Sequence, residues 1–163
     1  MLVVLSDMLL ADGTAGDHNL SPQVFSDFVD QIAVAHAKVR QVNPNSQVQI
    51  VYAGNIFEMR RTHFWFLQND HKPWHHFDIV TGKDLANPPK KADYLDRSIA
   101  LFNGIMTHRN VAPIKGILGD RLADRFGGNE PTRVYLPGAS DRLINMHPAL
   151  RARVIDFLGL PAD

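Results

Sequence analysis

Three short runs of apolar and β-branched residues punctuate the chain: residues 2–6 (LVVLS), 48–54 (VQIVYAG) and 132–138 (TRVYLPG). Runs of this length, bounded by turn residues, read as strands buried on both faces of a parallel sheet. The stretches between them have helical spacing. Phe25, Phe28, Val29, Ile32, His36 and Val39 recur every three or four residues after Ser21-Pro22, which predicts an amphipathic helix over 22–41 with Ser21 as its N-cap; Asn43-Pro44-Asn45 ends it. Residues 93–110 and 112–126 carry the same periodicity, and Gly127-Gly128 stops the second. His147-Pro148 opens a last helix that buries Leu150, Val154, Phe157 and Leu158 and ends at Gly159. Residues 56–67 (IFEMRRTHFWFL) read as a helix or a partly helical segment. Residues 7–20 read as a polar, glycine-rich loop, and 69–92 as a long loop with a short hairpin.

Strand, helix, strand, helices, strand, helix is the order of an α/β domain with a mostly parallel sheet flanked by helices. Residues 1–163 are expected to form one domain, with 93–127 as a helical insertion or cap beside the sheet. Composition does not disturb that picture: 45% apolar and 21% charged residues are an ordinary globular balance. Seventeen basic residues cancel seventeen acidic ones, so no overall field draws the chain to nucleic acid or to an anionic membrane. Cysteine is absent, which removes disulfides and thiolate metal sites and fits a cytoplasmic location. The apolar start, MLVVLSDMLL, has no basic flank and is broken by Asp7, so it reads as a strand rather than a signal peptide or a membrane span.

Each strand runs into a short polar motif: Ser6-Asp7-Met8-Leu9-Leu10, Ala53-Gly54-Asn55-Ile56-Phe57-Glu58 and Pro137-Gly138-Ala139-Ser140-Asp141-Arg142. Ligands of open α/β sheets bind at the carboxyl ends of strands, so these motifs are where a site belongs. Their order and flanks resemble the calcineurin-like metallophosphoesterases, which carry Asp-X-His, Gly-Asp-X-X-Asp and Gly-Asn-His-Asp/Glu after successive strands. The resemblance covers roughly residues 2–158 and implies a layered metallophosphoesterase-type α/β fold. By the same resemblance Asp7 keeps the first metal-binding carboxylate, and Glu58 is a partial match to the last position of the second motif. Leu9 stands where the family has a metal-binding His, Asn55 where it has the Asp that bridges two metals, Ala139 where it has an Asn ligand, and Ser140 where it has the His that assists the phosphate. Asp141 and Arg142 keep the tail of the third motif. After Asp141 only His147 remains, where the family supplies further His ligands, so the chain reads as short at its C-terminal side.

A two-metal site needs several anionic or imidazole ligands to offset dehydration of both ions. With Leu9, Asn55 and Ala139 in ligand positions, no cofactor is expected; the alternative is a weakly bound Mn²⁺ or other divalent ion on Asp7 and Glu58. The resemblance then implies a non-catalytic scaffold or regulatory module whose partner is a protein or a further C-terminal segment. The alternative is a metal-dependent phosphoesterase of phosphate mono- or diesters, here truncated or inactivated, with residual chemistry on Asp7, Asn55, Ser140 and Asp141.

Other residues have blander readings. His71, His75 and His76 form a possible metal group, but Pro73 opposes a shared helical face. Asp12, Asp17 and His18 read as solvated turn residues, Arg60, Arg61, Lys90 and Lys91 as solvated surface, and Phe64, Trp65, Phe66, Trp74 and Phe77 as core under the long loop. There is no Walker-type loop or dinucleotide fingerprint, and Gly-Ala-Ser-Asp lacks the glycine that follows the serine of a nucleophile elbow.

Overall fold

A computed structural model describes residues 1–66, 91–127, 129–145 and 147–161. Strands β1 (Leu2–Ser6), β2 (Gln49–Gly54) and β3 (Thr132–Pro137) form one parallel sheet in the order β1-β2-β3. The register is straight across: Leu2 faces Gln49 and Thr132, and Ser6 faces Ala53 and Leu136. Helix α1 (Pro22–Val42) connects β1 to β2; α2 (Lys91–Thr107), α3 (Ala112–Gly116) and α4 (Leu122–Phe126) lie between β2 and β3; α5 (Arg142–Asn145) and α6 (Pro148–Leu158) follow. A single π-helical turn, Ile117–Arg121, makes α3 and α4 one continuous helical segment.

The helix ends follow local chemistry. The Ser21 hydroxyl accepts the N–H of Gln23 at 3.3 Å with Pro22 in the first turn, and Gly127 and Gly159 close α4 and α6 in the left-handed region at φ 54° and 60°. One core joins sheet and helices: Ile50 and Tyr52 of β2 belong to the same buried cluster as Phe25, Val29 and Ile32 of α1, Leu101, Phe102 and Ile105 of α2, and Leu150, Val154 and Phe157 of α6. Phe57 sits edge-on to Phe102 and Phe157, with centroids 5.0 and 5.5 Å away. Residues 112–126 are held against α1 by Asp30, which takes Arg121 at 2.7 Å and Arg125 at 2.8 Å, while Leu118 and Leu122 enter the common core. No helix among the described residues is long and apolar enough to cross a membrane.

Two expectations need correction. The strands are not buried on both faces: along β1 exposure alternates, with Leu2 63% and Val4 56% exposed, and only β2 has fully buried positions. β1 and β3 are edges of a three-stranded sheet, and an apolar run does not reveal how many faces will be covered. Nor is the segment from Ile56 a full helix: it is partly helical, with residues 56–63 non-helical. Leu10 pairs with Phe57 as an isolated parallel bridge and a single 3₁₀ turn appears only at Phe64–Phe66. Here tertiary hydrogen bonds to Leu10 and Asp141 take the backbone groups that a helix would use. The hairpin expected within 69–92, the 71/75/76 histidines, Trp74, Phe77 and Lys90 lie outside the described residues.

Candidate functional site

All three polar motifs meet at the carboxyl edge of the sheet, because the straight register ends the strands side by side. Beyond the strands the backbone stays paired: Leu9 N–H donates to Asn55 O at 3.0 Å, Leu10 N–H to Ile56 O at 2.8 Å, Glu58 N–H to Leu10 O at 2.9 Å, and Gly138 N–H to Gly54 O at 3.1 Å. That pairing holds Asp7 and Leu9 in the left-handed region at φ 51° and 50°. Asp tolerates this; for Leu it costs on the order of 1 kcal/mol. The third motif packs equally close. A Cβ on Gly138 would stand 2.5 Å from the carbonyl carbon of Gly54 and 2.7 Å from the Asn55 nitrogen, so only glycine fits. Gly138→Ala is expected to lower unfolding stability by about 1–3 kcal/mol in urea denaturation, since backbone on both sides must move.

Asn55 stands at the centre. Its Nδ2 donates to Asp7 Oδ1 at 2.9 Å, and its Oδ1 accepts the N–H of Ser140 at 2.8 Å. The relay continues: Ser140 Oγ accepts from Arg60 Nη2 at 2.7 Å and lies 3.4 Å from Glu58 Oε2. Glu58 Oε1 in turn accepts the backbone N–H groups of Arg60 and Arg61 at 2.8 and 3.3 Å and faces the Arg60 guanidinium at 3.7 Å. Asp7, Asn55, Ser140, Arg60 and Glu58 thus form one hydrogen-bonded chain across the three strand ends. Ser140 and Glu58 are buried within it, whereas Asp7 is exposed.

Asp141 faces the opposite way, into the protein. It is fully buried and accepts three backbone N–H groups, from Phe57 at 2.9 Å, Ile56 at 3.2 Å and Gly138 at 3.2 Å. Burial pushes its carboxyl above the usual carboxylate range; the three donors and the Tyr135 hydroxyl pull the other way without cancelling that effect. Its role is to tie the second motif to the third.

The donor set does not fit a two-metal centre. Leu9 and Ala139 have no lone pair to offer. The Asn55 carboxamide turns its N–H toward Asp7, where a metal would need an oxygen, and its oxygen is already taken by Ser140. Both Glu58 oxygens are engaged with Arg60, Arg61 and Ser140. Among the described residues, no three His, Asp or Glu side chains converge to hold an ion. An open recess beside the third motif is lined by Pro137, Gly138, Ala139, Arg142 and Asn145, with a cation but no carboxylate.

Two residues read from sequence as solvated turn residues also make specific contacts, Asp12 half-buried and Asp17 still exposed. Asp12 accepts the Thr62 hydroxyl at 2.5 Å and the Thr14 hydroxyl at 2.9 Å, pinning the first loop to the segment after β2. Asp17 pairs with Arg109 at 3.2 Å and lies 3.7 Å from His108 Nε2. His108 Nδ1 accepts the Asn110 N–H at 3.2 Å, which places the neutral ring's proton on Nε2, facing Asp17. Arg60 was missed as part of the strand-end cluster; its position two residues after Glu58 was the one available signal. Nothing in the local sequence marks Thr62. Trp65 is buried, as the core reading of the aromatics expects, and donates from Nε1 to Met59 O at 2.7 Å. Comparison with family models, with curated proteins and with solved structures finds no match to this chain.

Proposed function

We propose that this chain is a metallophosphoesterase-like domain whose strand-end site has become a structural lock, and that it serves as a non-catalytic scaffold or regulatory module in the cytoplasm, acting through a protein partner. The observation that carries this reading is the Asn55 carboxamide. In one step it neutralises the need for a cation beside Asp7 and bonds the first motif to the third. A carboxylate at the same place would bring two negative charges to hydrogen-bond distance and require a cation; an amide supplies its own positive end. The engaged Glu58 and the apolar Leu9 and Ala139 agree with a cluster that holds backbone rather than ions.

Titration calorimetry of Mn²⁺ into the metal-stripped protein tests it. The expected result is no Asp7-dependent binding at millimolar metal. Tight binding of one or two ions that disappears in Asp7→Ala, with hydrolysis of a phosphate ester, would overturn the scaffold reading in favour of a phosphoesterase.

A further inference from the structure

The sheet has two unequal faces. Ile50 and Tyr52 of β2 point into the core and are 1% and 0% exposed. The alternate positions, aligned by the register, are Leu2 and Val4 of β1, Val51 and Ala53 of β2, and Val134 and Leu136 of β3. Leu2 is 63%, Val4 56% and Leu136 54% exposed, and the other three are half-buried between their strand neighbours. The remaining positions of this face, Ser6, Gln49 and Thr132, are uncharged.

Chain order explains the asymmetry. Strands run β1-β2-β3 in one direction across the sheet, and parallel crossovers are almost always right-handed, so both crossovers fall on the same side. One layer of helices therefore covers one face, and no described element covers the other. All-parallel sheets are found almost only with both faces covered, and a contiguous apolar patch of this kind marks an interaction surface.

We infer that this sheet face is an interface for a second copy of the chain, packed face to face about a twofold axis. It rests on the scaffold reading only in supplying the partner which that reading calls for. Three features select a second copy. The face carries no charge, so nothing on it is complementary to a charged partner, while an uncharged apolar face is complementary to itself. The chain has seventeen basic and seventeen acidic residues, so two copies do not repel. Nine side chains exposing on the order of 60 Å² each would bury roughly 1,100 Å² in a symmetric pair, just past the ~1,000 Å² a specific interface needs. Two such sheets stack at ~10 Å with strands about 30° apart, the ordinary geometry of a β-sandwich core.

The test is the solution mass of the full chain by light scattering or sedimentation, from about 10 to 300 µM. The expected result is a rise from 18.3 kDa toward twice that mass. Val4→Lys and Leu136→Lys should abolish the rise with unchanged far-UV circular dichroism, and Val42→Lys, on an 89% exposed residue at the end of α1, should leave it intact. If a lysine variant fails to fold, Leu136→Thr keeps a strand-forming residue and should weaken association at least tenfold. A wild-type chain monomeric throughout would overturn the inference, as would a dimer indifferent to Val4 and Leu136. Because this readout is mass and that of the scaffold reading is Mn²⁺ binding, either can fail without the other.

Discussion

Asn55→Asp should destabilise the protein by about 2–4 kcal/mol at pH 7, and acid should reverse the loss. The substitution removes one hydrogen bond to a charged acceptor, worth roughly 1.5–3 kcal/mol, and replaces the donor with a second negative charge beside Asp7. Asp7 is exposed, so solvent screens the repulsion and keeps its share at the lower end. The bond from Ser140 N–H to the retained oxygen survives. A carboxyl next to a like charge has a raised folded-state pKa. The stability it carries is therefore present at low pH and lost as the pH rises from about 4 toward 7. Urea denaturation of both proteins across that range checks the sign. Millimolar Mn²⁺ should restore part of the variant's stability, since two facing carboxylates now offer a cation what the wild-type pair does not. Equal stability of variant and wild type at pH 7 would show that the Asn55 amide is not the lock proposed here.

Asp141→Ala is expected to cost about 2–4 kcal/mol, because the buried Phe57 N–H loses its acceptor while the N–H groups of Ile56 and Gly138 keep only Gly54 O. Asp141→Asn keeps the shape and one oxygen and should cost about half as much. The wild type carries a further signature. Burial raises the folded-state pKa of Asp141 above that of the unfolded chain, so this group's contribution is fully present below the unfolded value and lost as the pH rises through the folded one. The stability difference between wild type and Asp141→Asn should therefore widen on acidification from neutrality toward pH 4, as read by denaturation midpoints. A gap that narrows instead would mean that the three donors outweigh burial.

Much of this molecule was legible residue by residue. Ser21-Pro22 announced the start of α1, Gly127 the end of α4, and His147-Pro148 and Gly159 the limits of α6, because caps and stops act within a few residues of themselves. The run LVVLS matches β1 and the spacing of Phe25, Val29 and Ile32 matches the buried face of α1. The strand-end motifs were also visible, since polar residues after apolar strands stand out without any knowledge of contacts. Their wiring was not. Asn55 looks like a lost ligand in sequence; only its two partners, 48 and 85 residues away, show what it does instead. Arg60 is exposed, as its sequence suggests, yet also reaches Ser140, and the segment after Asn55 is only partly helical because Asp141 and Leu10 claim the backbone of its first residues.

The amino-acid sequence by itself determined the three strands, the main helices, their order and most of their ends, and hence an α/β domain with a parallel sheet, because periodicity and capping are local properties of the chain. Tertiary structure alone decided which strand face is covered and how the three strand ends are joined. Both depend on the hand of the crossovers and the register of the sheet, which bring together residues that carry no mark of one another in the sequence.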